Sequence, residues 1–210
     1  MRTDDLIRAL AADRTAAPQP PGRMLVLAAA AGFALSAMAF AIWLGPRPDI
    51  AEAATHVRFL FKPLLMLALA AMSGWLLLRL MRPGAPVRLL ALAAIPAVLA
   101  VAVAAELVTL PPSRWPGALV GDNWYLCLGL IPLLSLPLAA ALLFALRHGA
   151  PTRPPIAGAV AGLTASGLAA ALYAVNCTDD SPLFVATWYS LAIAAVSIAS
   201  ALAGHRMLRW

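Results

Sequence analysis

The chain has 210 residues, 63% of them hydrophobic and 11% charged, whereas a soluble domain of this size carries about 25% charged residues. That composition excludes a water-soluble packed domain, and the short stretches between apolar runs exclude a large extramembrane catalytic domain. The net charge of +6 raises nucleic acid as a partner, but the placement of the charges fits membrane orientation better.

Residues 1–23 form a polar tail, acidic near its start, ahead of a membrane domain over 24–210. No cleavage pattern follows, so the tail is expected to stay on the mature chain. Within it, Thr3 to Asp13 predicts a short amphipathic helix. Thr3 is placed to cap it, Asp4 and Asp5 suit the positive end of the dipole, and Leu6, Ile7 and Leu10 share a face. Pro18, Pro20 and Pro21 end it before the membrane. A helix of about 11 residues is marginal alone in water. Its apolar stripe therefore invites either a groove on a soluble partner or the lipid interface and inner loops, and Asp4, Asp5 and Asp13 argue against an anionic leaflet.

Six almost wholly apolar segments follow: Met24 to Leu44, Phe59 to Met81, Leu89 to Leu110, Trp124 to Leu146, Ile156 to Val175 and Pro182 to Leu202. Each is long enough, at about 1.5 Å per residue, to cross roughly 30 Å of hydrocarbon. The fold class expected is all-α, a polytopic membrane protein of six transmembrane helices. With loops assigned alternately to two sides, eleven of the fifteen basic residues fall on one side. They are Arg2, Arg8, Arg14, Arg23, Arg79, Arg82, Arg88, Arg147, Arg153, Arg206 and Arg209. Arg47, Arg58, Lys62 and Arg114 fall on the other. The positive-inside rule then places both termini in the cytoplasm. Trp43, Trp115, Trp124, Tyr125 and Tyr173 gather at the outer helix ends, as an interfacial aromatic belt would.

Two inner loops, Arg82 to Arg88 and Arg147 to Arg153, use similar residues in similar order. This is either the trace of a duplicated hairpin or convergence of two tight turns on Gly, Pro and Arg. Pro96, Pro132 and Pro137 lie inside expected spans, and the fourth span is expected to kink. In the fifth, Gly158, Gly162, Ser166 and Ala170 form an i, i+4 row of small residues. Such a row lets another helix approach closely, within this chain or in a dimer.

The only cysteines, Cys127 and Cys177, both fall near outer helix ends. Asp122 precedes the first by five residues, Asp179 and Asp180 follow the second, and Glu106 sits about a turn inside the third span. Thiolates with carboxylates suit Zn²⁺ or a softer ion such as Cd²⁺. A disulfide is the other chemistry open to the pair in an oxidising compartment. An inert buried pair also fits, because Cys behaves as a small hydrophobe. A carboxylate at the depth of Glu106 needs a cavity or a basic partner. No phosphate-cradling loop, H-E-x-x-H or supported Ser/His/Asp set occurs, so no enzyme and no obligatory cofactor is expected.

Four stretches together resemble the NrsF-type anti-sigma factors over essentially the whole chain. They are Met1 to Leu10, the run Asn176-Cys177-Thr178-Asp179-Asp180-Ser181-Pro182-Leu183-Phe184-Val185, the turn Gly149 to Pro154 and the terminal Leu208-Arg209-Trp210. The resemblance implies a six-span bacterial inner-membrane protein that holds an extracytoplasmic-function sigma factor inactive, with no direct nucleic-acid contact. It also implies that Cys127 and Cys177 are sensors on the periplasmic side, responding to metal or oxidative stress. The tail, through Thr3, Asp4, Asp5, Leu6, Ile7 and Leu10, would hold the sigma factor. Asn176 departs from the pattern, since the family often has His before the second cysteine. The rival readings are a small permease using Glu106, Asp122 and the broken fourth span, and a membrane thiol-redox enzyme, against which the widely separated cysteines argue.

Overall fold

The computed structural model describes residues 3–12, 21–82, 88–149 and 151–208. Among these the chain is helical, and six runs are long and apolar enough to cross a membrane by length and composition. α1 (Thr3–Ala12) stands ahead of them. The spans are α2 (Pro21–Trp43); α4 (Val57–Leu80), reached through the one-turn α3 (Ile50–Ala53); and a 3₁₀ turn, Leu89–Ala93, continuing as α5 (Ala94–Thr109). A short α6 (Trp115–Val120) then leads to α7 (Trp124–Leu146), followed by α8 (Pro154–Ala174). The last span is composite: α9 (Pro182–Phe184), a π-turn (Val185–Tyr189) and α10 (Ser190–Met207). All six expected spans are present, the last extended to Met207. Side chains such as Ile42, Leu90, Val101 and Val108 are more than two-thirds exposed, which suits hydrocarbon as their solvent.

α8 is the axis of the bundle. Of its most apolar stretch 72% is buried, against 11% in the third span, and it packs on α10, α4 and α7. Its composition explains this. A Cβ on Gly158 would overlap the Ser200 carbonyl oxygen, and one on Gly162 would stand 2.7 Å from the Ser197 Cα. On the opposite flank, a Cβ on Gly167 would stand 3.1 Å from the Ala70 nitrogen of α4. The row of small residues therefore forms a contact inside this chain, α8 against α10, where backbones meet directly.

The prolines divide into two kinds. Pro132 and Pro137 lie inside α7, which runs unbroken through both. Ser135 Oγ donates to the Ile131 carbonyl at 2.6 Å, and Ser36 Oγ of α2 donates to the Leu134 carbonyl at 2.7 Å. Pro96 lies inside the third span, as expected, just past the 3₁₀ segment and in the first turn of α5. Its fixed φ suits a position so near the start of an α-helix. The loop over 83–87, half of the expected loop similarity, lies outside the described residues.

Candidate functional site

The loop joining α8 to the sixth span carries Asn176, Cys177, Thr178, Asp179, Asp180 and Ser181, and the polar groups at this end of the bundle converge on it. Lys62, near the start of α4, is fully buried. An ammonium is tolerated there because all its protons are used. Nζ donates to the Cys177 carbonyl at 2.8 Å, to the Asp179 carbonyl at 3.0 Å and to Asp180 Oδ1 at 2.8 Å. Arg47, from the loop after α2, donates to the other Asp180 oxygen at 2.9 Å and forks onto Asp49. Its guanidinium holds the Asp49 carboxyl below the usual carboxylate range by direct hydrogen bonding. Asn176 Nδ2 donates to the Gly45 carbonyl at 2.9 Å, so Asn176 has a structural task.

Asp179 faces the opposite way. Its carboxylate accepts from the Asp122 and Asn123 backbone N–H groups and from Asn123 Nδ2. It thereby covers unpaired donors at the positive end of α7. Gly121 makes the approach possible: its φ is +56°, and a Cβ would stand 2.8 Å from the Asp179 carboxyl carbon.

Glu106 is 3% exposed and accepts from Ser181 Oγ at 2.8 Å and from the Leu183 N–H at 3.0 Å. Arg58 lies 3.4 Å away, the basic partner its depth requires. Glu106 thus caps the sixth span from the third. Glu106→Ala strands the Leu183 N–H in a buried setting and should cost about 2 kcal/mol, read as a lower midpoint of thermal unfolding in mild detergent.

Beneath this polar cap lie the thiols. Cys127, in the first turn of α7, and Cys177 are both free and buried, and Cys177 Sγ donates to the Asp179 carbonyl at 3.9 Å. Cys177, in the connecting loop, is pulled below the ordinary thiol value. The neighbouring Cys127 side chain is the main cause; burial opposes it, and the Lys62 ammonium adds to it. Tyr173 of α8 and Tyr189, the last residue of the π-turn, are fully buried beside the pair, ring centroids 6.0 Å apart. Tyr173 is therefore no part of an interfacial belt: it points inward from the end of the most enclosed helix.

The six expected metal-ligating residues do not come together. Asp180 is held by Lys62 and Arg47, Asp179 serves the start of α7, and Glu106 serves the sixth span. Asp122 is exposed and enters through its backbone. Among the described residues no three His, Cys, Asp or Glu side chains form a ligand cluster, which leaves Cys127 and Cys177 as a pair without carboxylates. In the tail, α1 spans Thr3–Ala12, with Asp4 and Asp5 in its first turn and Ile7 exposed. Asp13 lies outside the described residues. Lys62, Arg47 and Tyr189 were not singled out as site residues by sequence.

A family model described as negative regulator of sigma F, NrsF, matches residues 10–210. The chain belongs to the NrsF family. Along its full length it is 38% identical over 216 residues to the anti-sigma-F factor NrsF of Caulobacter vibrioides, which is covered in full. It is also 35% identical over 213 residues to the probable anti-sigma-F factor NrsF of Azospira oryzae, again with both chains covered completely. No solved structure matches. NrsF proteins are regulators, in keeping with the lack of an enzyme constellation in the sequence. Of the tail residues expected to hold a partner, Leu10 alone falls within the matched stretch.

Proposed function

We propose that this NrsF protein holds an extracytoplasmic-function sigma factor inactive at a bacterial inner membrane and releases it when Cys127 and Cys177 react with metal or oxidant. The tail, with Leu6, Ile7 and Leu10 as anchors and Thr3, Asp4 and Asp5 at the helix start, is the holding element on the cytoplasmic side. The cysteine pair is the sensing element on the periplasmic side. The observation that carries this reading is the separation of the two. α2 begins at Pro21, where the tail joins, and ends at Trp43, just before the Arg47 loop that grips Asp180. Its 23 residues measure about 34 Å at roughly 1.5 Å each. Arginine asymmetry supports this sidedness.

The link between the ends is the packing around α8, whose last turn carries Tyr173 beside the thiols and whose first turn lies at the tail's end of the bundle. A hundredfold loss of sigma-factor affinity requires about 2.7 kcal/mol of coupling, well within what bonds to two thiolates supply. The permease reading loses its main residue, because Glu106 is committed to Ser181 and Leu183.

Two variants test the halves separately. Leu6→Asp should raise transcription from sigma-dependent promoters in unstressed cells by an order of magnitude or more, and unchanged transcription removes the tail as the clamp. Replacing both cysteines with Ser should leave repression intact and abolish induction; normal induction by Cd²⁺ removes the sensor.

A further inference from the structure

The hydroxyls of Tyr173 and Tyr189 are the buried side-chain polar atoms that find no hydrogen-bond partner among the described residues. Both side chains are fully enclosed, where an unpaired hydroxyl carries a standing desolvation penalty and phenylalanine would fill the same space without it. The neighbours of these hydroxyls are the two sulfurs: Tyr173 faces Cys127 and Cys177, and Tyr189 faces Cys177. A thiol sulfur is a weak acceptor, so proximity here is not a well-formed bond. Two different elements aim these groups at one point, α8 through its final turn and the sixth span through a π-turn, a local irregularity that tends to mark functional positions.

Sulfur becomes a strong acceptor when it is anionic. In the resting pair the Cys177 S–H donates to the Asp179 carbonyl at 3.9 Å. A cation that takes both sulfurs displaces that proton and removes the donor, leaving two charged sulfurs in an apolar pocket. Resting on the reading that the cysteines sense, we propose that the Tyr173 and Tyr189 hydroxyls are donors held in reserve. They are unpaired at rest and satisfied when Cys127 and Cys177 together bind a soft, thiophilic divalent cation as thiolates. Any proton still on sulfur leaves to solvent, and no electron moves. Soft cations are selected by the donor set: two sulfurs, two phenols and no carboxylate, which offers nothing to Mg²⁺ or Ca²⁺. Two thiolates neutralise a divalent ion, so the complex is buried without net charge. The tyrosines are positioning residues acting through sulfur.

The test uses the full chain in detergent or lipid nanodiscs, titrated with CdCl₂ under reducing conditions and followed by thiolate-to-metal charge-transfer absorption. Tyr173→Phe and Tyr189→Phe should each weaken Cd²⁺ binding by about tenfold, the worth of a hydrogen bond to a charged group. Thermal stability without metal should stay unchanged or rise, because the hydroxyl removed was unpaired. MgCl₂ should produce no change. Wild-type affinity in both variants overturns the inference and leaves the phenols as packing. A drop of several degrees in the metal-free midpoint also overturns it, since the hydroxyls would then be engaged at rest. The Cys127→Ser, Cys177→Ser protein is the control. Undiminished Cd²⁺ binding there sinks the sensor reading itself, whereas its loss alongside intact binding in the Phe variants sinks the tyrosine role alone.

Discussion

Replacing Lys62 with methionine is expected to lower the stability of the protein by about 3 kcal/mol, at the low end of the range for breaking a buried ion pair. Methionine fits the stem of the lysine, so packing changes little and the loss is polar. The Cys177 and Asp179 carbonyls lose their donor, and Asp180 loses one of two cations. Arg47 remains on Asp180, which keeps that carboxylate from being stranded and holds the cost down. Lys62→Met, Asp180→Asn should therefore recover little, whereas Lys62→Met with Arg47→Ala should fall further than the sum of the single changes, because both share Asp180. Reversible thermal unfolding in detergent gives the single-variant cost, and the double-mutant cycle gives the coupling. A cost under 0.5 kcal/mol for Lys62→Met would show that the loop is held by something else.

The second large effect belongs to the seam between α8 and α10. Gly158→Leu places a branched side chain where even a Cβ overlaps the Ser200 carbonyl and stands 3.1 Å from the Gly204 Cα. Neither neighbour is a side chain that can swing aside, so the helices must separate. We expect a loss of at least 3 kcal/mol and, in cells, little accumulation of the protein. Gly129→Ala is the matched control. It also lies in a span, but nothing stands within 4 Å of its added Cβ, and alanine should be neutral or stabilising by up to about 1 kcal/mol. Equal accumulation of both variants would refute close backbone contact at Gly158.

The spans were legible because hydropathy and length report them directly, and Trp124 to Leu146 agrees at both ends. The Gly158 and Gly162 face was legible too, since a helix row without side chains has little other use. Lys62 was not. Sequence placed it on the outer side with Arg47, Arg58 and Arg114, but its three acceptors lie more than a hundred positions away, in a loop whose path no local pattern specifies. Asp179, Asp180 and Glu106 suggested metal ligands because carboxylates near thiols have that chemistry; the fold uses them as caps and counter-ions instead. Tyr173 was placed in an aromatic belt because it ends a span, and only the enclosure of α8 shows that it faces inward. The π-turn before Tyr189 has no signature in the residues Val185–Tyr189.

The smallness of the residues along α8 has one more outcome. Where Gly158 and Gly162 meet α10 the flank has no rotamers to trade, so that seam has no cushion through which a local shove can dissipate. Over 21 residues, about 32 Å at roughly 1.5 Å each, a push on Tyr173 arrives near Pro154 as tilt or sliding of a stiff rod, with its neighbours obliged to follow.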